Sequence, residues 1–451
     1  MATTKVKDLT KGSVFKSLLL FVVPIMLGNL LQSLYSATDK AVVGRFAENG
    51  ALALAAVGGT TSISYLIIGL FTGLGIGVNV ICSNLLGAQK HKELRKCMNT
   101  AIPVAVIAGL LVSVFGISAS GWVLRMMGTP EDVFTPAKLY MQIYFMGAPA
   151  VIVHCFGAAI LRSHGDTKRP MYILFVSGIV NVILNLILVV CFHMSVDGVA
   201  IATAISQLLS AVLVLRILFD PKDQYKMRVR ELCIYKKELL DIIRVGVPSG
   251  LGGMVFSAAN VVIQSSVNQF QDAALLASKS VVADITGIIY QILSAMLMAC
   301  VSFAGQCFGA RNYKRIDKLV LWGCVICWSL MGPLIAICLL FGEYVIMMFN
   351  TDPEVVKMGA QLLRIETAGY LIYIPSEVFL GCSRGMRRVN VATFLNFMGI
   401  CVTRLIWVWV IFPLNPVVWM LFLCYPVSWT ISTILQAGNY ILFRRKLEKT
   451  A

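Results

Sequence analysis

A few polar side chains stand inside apolar stretches of this chain, where ionisable and amide groups are costly and usually carry function. Asp39 follows Gln32 and Tyr35 at spacings that align all three along one helix face. Asn181 and Asn185 lie four positions apart, and Thr203 precedes Ser206 and Gln207 in the next apolar stretch. One carboxylate among hydroxyls and amides can take a proton or a small hard cation. Lys40 follows Asp39 directly, but adjacent residues do not share a helix face. At ~1.5 Å per residue and a ~30 Å hydrocarbon core, Asn185 lies roughly 22 Å beyond Pro170, and Thr203 about 12 Å from the opposite face. Asp39, Asn185 and Thr203 then reach one depth, as a shared ion site requires. Helix-to-helix hydrogen bonding is the plainer reading of Asn and Thr; for the set, the site is preferred.

Other candidates are more scattered. Asp284 sits about mid-depth in its stretch, five positions after Lys279, and Glu366 and Glu377 share another stretch with Pro375. These acids are possible lining of a cavity that meets a cationic substrate; for Glu377 a structural role weighs at least as much. Pro24 precedes Asp39 by fifteen residues in the same stretch. A proline there frees a carbonyl and kinks the helix, so it is a candidate gate responding to protonation of Asp39. No catalytic constellation and no metal site is expected. The four histidines, His91, His154, His164 and His193, have no ligand spacing, and Cys324 and Cys327 lack a matching pair. No glycine-rich phosphate loop of the P-loop type is present, so the energy for any pumping must come from an ion gradient.

The elements that must position these residues are membrane helices. The 451-residue chain is 58% hydrophobic and only 13% charged, against about 25% charged in a soluble domain. Twelve apolar segments long enough to span a bilayer fall at 14–44, 52–86, 97–123, 133–162, 170–192, 195–219, 238–270, 274–309, 316–342, 355–383, 391–413 and 417–443. The first lacks a cleavage site and carries polar groups near its end, so it reads as a span and not a signal peptide. Glycines 69, 73, 75 and 77 read as a close-packing surface. The fold class is an all-α polytopic membrane protein with twelve transmembrane helices.

The chain also reads twice. Pro24 recurs as Pro248, Gly87-Ala88-Gln89 as Gly309-Ala310-Arg311, Thr129-Pro130-Glu131 as Asp352-Pro353-Glu354, and Ser163-His164-Gly165 as Ser383-Arg384-Gly385. Offsets of 220 to 224 make two pseudo-symmetric six-helix lobes: an N-lobe over 1–219, a cytoplasmic linker over 220–237 and a C-lobe over 238–451. The linker is basic, and an amphipathic stretch lying on the membrane surface is expected there.

Formal net charge is +16, but its placement argues for topology and anionic lipid, not nucleic acid. Lys and Arg gather in alternate connections: the N-terminus (Lys5, Lys7, Lys11, Lys16), the 2–3 loop (Lys90, Lys92, Arg95, Lys96), the linker and the C-terminus (Arg444, Arg445, Lys446, Lys449). The chain is therefore expected to be multi-pass in the cytoplasmic membrane, with both termini in the cytoplasm. Monomer is the oligomeric expectation.

Several strings now resemble one family. They are Asp39-x-x-Val42-Val43-Gly44-Arg45, Ala53-Leu54-Ala55-Ala56-Val57-Gly58, Leu161-Arg162-Ser163-His164-Gly165-Asp166-Thr167-Lys168-Arg169-Pro170, Gly198 through Gln207, and Gly305-Gln306-Cys307-Phe308-Gly309-Ala310. Over essentially its whole length the chain resembles the multidrug and toxin extrusion (MATE) transporters. That resemblance implies two six-helix lobes around a central cavity and export of organic cations or amphipathic compounds in exchange for H⁺ or Na⁺, without a cofactor. It implies an N-lobe ion site at Asp39, Asn181, Asn185 and Thr203, which Tyr35 joins by sharing the helix face of Asp39. Asn185 stands where the family usually has Asp. A single carboxylate binds Na⁺ less strongly than a pair, since charge count is a main determinant of hard-cation affinity, so the expectation leans to H⁺. The alternative is an exporter of lipid-linked or polysaccharide precursors, weakened because only Lys40 and Lys279 offer inward cations. A major-facilitator transporter lacks its loop motif here, an enzyme lacks a catalytic cluster, and a passive channel fits a closed polar cluster less well than a carrier does.

Overall fold

The computed structural model describes residues 8–47, 50–223, 225 and 227–450; Lys5, Lys7 and Lys226 of the basic clusters lie outside the described residues. The helices are α1 (Val14–Phe46), α2 (Gly50–Gly87), α3 (His91–Met126), α4 (Glu131–Met146 with Ala148–Ser163), α5 (Lys168–Cys191), α6 (Val196–Leu218), α7 (Lys236–Asn268), α8 (Ala273–Gly309), α9 (Tyr313–Met347), α10 (Pro353–Gly385), α11 (Val389–Leu414) and α12 (Val418–Lys449). They are the twelve expected segments, in the expected order. Among the described residues nine helices are long and apolar enough to cross a membrane, or ten when α4 is taken as one span bent by 43°. The α4 break falls at Gly147, just before Pro149, whose missing N–H cannot continue the helical ladder. Large apolar side chains stay exposed in helical register: Ile107, Leu110, Leu111, Val114 and Phe115 share one face of α3. In water such a stripe would be a liability; here it is the lipid-facing side.

Two compact units divide the chain, one built from Leu27–Gly250 and the other from Leu9–Met26 with Leu251–Ala451. The sequence division at 220–237 does not coincide with these boundaries. The first half of α1 belongs to the second unit, and the first half of α7 to the first unit. Pro24 and Pro248 lie two residues before the two changeover points, so the exchange itself follows the repeat. Within the first unit α4 packs against α2, α3 and α6; within the second, α10 packs against α8, α9 and α12, the same four positions of the repeat. Gln89 and Arg311, 222 positions apart, both close a helix in the left-handed region, at φ +57° and +56°.

Packing in the first unit confirms the glycine surface in part. A Cβ on Gly73 would strike the backbone of Gly250, and one on Gly77 would meet the Ile242 carbonyl at 2.6 Å and the Gly246 nitrogen at 2.9 Å. Gly69 has open space around it, and Gly75 only ordinary contact with Cys155. In the second unit Leu9 is fully buried ahead of α1, and its N–H donates to Gln306 Oε1 at 3.0 Å. The Arg315 guanidinium grips the same segment, donating to the carbonyls of Leu9, Lys11 and Gly12 at 2.6–2.8 Å.

The linker departs from expectation. Its described residues hold a single three-residue helical turn, Val229–Glu231, and no amphipathic helix. Local polar ties hold it instead. Arg169, buried at the start of α5, pairs with Asp223 and with Asp166 at 3.3 Å. Thr100 Oγ1 donates to the Cys233 carbonyl and accepts from the Tyr235 N–H. A backbone engaged by such side chains gains nothing from coiling alone.

Candidate functional site

The candidate site is built inside the first unit, from the later half of α1 and from α4, α5 and α6. Asn185 Nδ2 donates to Asp39 Oδ1 at 2.5 Å, and Thr203 Oγ1 donates to Asp39 Oδ2 at 3.5 Å. Asn185 Nδ2 also reaches Asn181 Oδ1 at 3.3 Å. The three residues expected to share one depth therefore meet around one carboxylate, with Asn181 bonded behind Asn185. A π-helical turn, Ile187–Cys191, begins two residues after Asn185; such turns loosen the backbone ladder and recur at functional sites. Asn185 is fully buried, and its Oδ1 has no hydrogen-bond partner among the described residues. An amide can present either a donor or an acceptor to its neighbour. The pair can thus hold Asp39 as a carboxylate or as a carboxylic acid.

Asp39 opens onto a cavity of about 340 Å³, also lined by Gln32, Tyr35, Asn181, Thr203 and Gln207. Lys40, which does not share a helix face with Asp39, lines it too; side chains 100° apart on a helix both reach a space this wide. Tyr140 and Tyr144 of α4 complete an aromatic wall that was not anticipated, although their i, i+4 spacing marked a common face. Tyr35 packs directly over Gly178 of α5, where any Cβ would collide with its ring, and its hydroxyl donates to the Phe175 carbonyl at 3.4 Å. Pro24 lies outside this cavity, in the part of α1 that belongs to the second unit.

The second-unit acids fall into different surroundings. Asp284 is exposed and does not pair with Lys279. Lys279 instead pairs with Glu366 at 3.4 Å and bonds the Tyr425 hydroxyl at 3.2 Å. Glu377 is 2% exposed, bonded by the Tyr373 hydroxyl one turn earlier on α10, and lines no described cavity. Its position is that of a packed structural acid, because a wall of Tyr side chains and neighbouring helices covers it.

The largest surprise is Arg404 on α11, 1% exposed and without an ion-pair partner among the described residues. Its Nη1 donates to Asn260 of α7 at 2.7 Å and its Nε to Ser428 of α12 at 3.2 Å. The rings of Tyr425 and Phe256 lie 4.5 and 5.5 Å from the guanidinium, distances at which a π face stabilises a cation. π-helical turns flank it on both sides, Phe397–Val402 and Trp407–Ile411. In each unit, then, the first, fifth and sixth helices of the repeat hold one charge, half-buried in the first unit and buried in the second, with an amide and a hydroxyl. The sign is opposite: a carboxylate in the first unit, a guanidinium in the second.

The Leu161–Pro170 string proves to be structural. Gly165 takes φ +85°, Asp166 Oδ1 accepts the Arg169 N–H at 3.2 Å, and His164 meets the Tyr225 ring edge-on at 4.9 Å. Burial holds the His164 imidazole down to about 4 and shifts the Asp166 carboxyl upward. His164 is therefore neutral at neutral pH and acts as an aromatic packing partner.

Comparison with known proteins follows the same two-fold division. The MatE family model matches twice, over residues 24–187 and 248–410. The chain belongs to the MatE family. Among similar proteins of Bacillus subtilis strain 168, probable multidrug resistance protein YpnP is 30% identical over 407 residues, covering 89% of each chain. Probable multidrug resistance protein YoeA of the same strain is 28% identical over 405 residues, covering 87% of this chain and 85% of its own. A MOP superfamily transporter from Pyrococcus furiosus has a solved structure that superimposes with TM-score 0.92 at 22% identity, over 99% of this chain and 100% of that one. A MatE membership makes the chain a membrane transporter, consistent with its twelve helices.

Proposed function

We propose that this MatE member is a secondary antiporter that exports organic cations or amphipathic drugs and toxins, taking up one proton at Asp39 for each turnover. The observation that carries the reading is the Asp39 carboxylate, held by Asn185 and Thr203 while lining an aromatic cavity of about 340 Å³. With Asp39 ionised, the cavity lining holds one carboxylate and one ammonium, Lys40, and is neutral overall. Tyr35, Tyr140 and Tyr144 offer π faces to a cation. Protonating Asp39 leaves Lys40 unbalanced, and the cavity then repels a cationic guest. Proton and substrate compete for one charge, which is the differential interaction that exchange requires. The names of the similar Bacillus proteins support the drug substrates. The test is uptake of a fluorescent organic cation into proteoliposomes under an imposed pH gradient, and separately under a Na⁺ gradient. Uptake driven by Na⁺ alone would sink the proton assignment.

A single carboxylate is the basis for preferring H⁺. Asn185→Asp places a second one beside Asp39, and hard-cation affinity rises with ligand charge. This variant is expected to acquire Na⁺-dependent transport that the parent lacks; Na⁺ stimulation unchanged from the parent would count against it.

The orientation we propose, with both termini and the linker cytoplasmic, rests on the Lys and Arg bias, and the protein is taken to act as a monomer in the cytoplasmic membrane. Two cysteines are exposed, Cys191 at the end of α5 and Cys233 in the linker. In intact cells a membrane-impermeant maleimide should label the Cys233→Ser variant through Cys191 and leave Cys191→Ser unlabelled. The reverse pattern would invert the topology.

A further inference from the structure

A second pocket, of about 420 Å³, lies within the first unit between the start of α3 and the linker. Lys92, Arg95, Lys96 and Arg230 line it, with one acid, Glu231. Glu231 is engaged by Arg228, outside the lining, at 3.9 Å. None of the four lining cations has an ion-pair partner among the described residues. Lys96 Nζ stands 5.3 Å from the Tyr235 ring centroid, which holds it over the pocket. The floor is Asn99, 3% exposed, whose Oδ1 is buried without a partner. A buried carbonyl oxygen left unbonded is costly, and this one borders the pocket. The linker strand that closes the far side is fixed by Thr100, which bonds both Cys233 and Tyr235. The pocket is thus strongly positive, and its buried Asn99 Oδ1 is an acceptor that a headgroup hydroxyl, not a phosphate oxygen, can satisfy.

We propose that this pocket binds the phosphate of an anionic phospholipid headgroup. Two features favour a lipid over a soluble anion. Val229 and Ile234 flank the cations on the linker with 67% and 40% of their surface exposed, an apolar edge for an acyl chain beside a polar headgroup site. The pocket also sits where an apolar span, α3, emerges into a basic connection, the level at which headgroups lie. A bound headgroup would pin the linker to α3, so lipid composition would bear on how firmly the first unit is closed at this end.

The test uses the full chain in mixed micelles, counting retained lipid by native mass spectrometry with phosphatidylglycerol, with phosphatidylcholine, or with inorganic phosphate as competitor. The variant Arg95→Gln/Lys96→Gln/Arg230→Gln is compared with Arg311→Gln/Lys314→Gln/Lys318→Gln, which removes equal charge from the connection before α9 and the first turns of α9. Phosphatidylglycerol retention should weaken roughly fivefold per pocket cation removed and stay unchanged in the control variant. Lys96→Gln alone, the mildest change, should show one such step and guards against misfolding of the triple variant. Displacement of the lipid by millimolar inorganic phosphate, with no preference over phosphatidylcholine, would overturn the lipid as the ligand. Equal retention by all four proteins would overturn the site itself.

Discussion

Asp39→Asn should reduce proton-driven export of an organic cation to the level of protein-free liposomes, a fall of more than about tenfold, or over 1.4 kcal/mol of driving interaction. The substitution is nearly isosteric. An amide at position 39 can still accept from Thr203, and its NH₂ can meet the free Oδ1 of Asn185, so the first unit should fold as before. What disappears is the group whose charge changes with pH. A ligand shifts a conformational equilibrium only by its differential affinity for the two states, and a proton has none for a site without a titratable group. Equilibrium binding separates this from simple loss of substrate. In the parent, cation binding should weaken on acidification, because protonating Asp39 removes the negative charge that balances Lys40. In Asp39→Asn, binding should be weaker and flat with pH. Retained gradient-driven uptake in this variant would move the coupling away from the first unit altogether.

Much of this arrangement was legible before any coordinates, because it rests on local rules. Asp39, Asn185 and Thr203 could be brought together from rise per residue alone, since straight helices make depth a linear function of position. The four recurring landmarks similarly exposed the two-fold design. The rest depends on which helix meets which. Lys279 and Glu366 are 87 residues apart in sequence, and no spacing rule joins them. Arg404 lies in an apolar span for which no site residue was expected, and its partners Asn260 and Ser428 come from two other helices. The exchange of helix halves at Pro24 and Pro248 is equally silent in sequence: hydrophobic periodicity reports that a helix continues, not which neighbours its ends find. The linker failed for a different reason. Its basic composition suggested an amphipathic surface helix, but Arg169–Asp223 and Thr100 fix its backbone in other conformations.

The second large effect is expected from Glu366→Gln, which should lower the thermal midpoint of the purified protein on the order of 10 °C. Lys279 and Arg404 share the Tyr425 ring, their charged atoms 4.8 and 4.5 Å from its centroid. Among the described residues Glu366 supplies the one carboxylate bonded to this cation pair, touching Lys279 at 3.4 Å and accepting from Thr286 Oγ1 at 3.4 Å. Without it, two buried positive charges flank one aromatic ring with no counter-ion, and breaking one partner of a buried pair costs about 3–5 kcal/mol. Removing both partners avoids that penalty. Lys279→Met/Glu366→Leu fills the same volume with apolar groups and should recover most of the lost midpoint, as replaced buried pairs often do. A Glu366→Gln midpoint equal to that of the parent would show the pair to be energetically idle. The double variant also separates stability from coupling. If the second unit holds fixed internal cations where the first holds an exchangeable proton, the double variant should still transport under a pH gradient. Loss of transport in a protein that melts normally would instead place part of the coupling on Glu366.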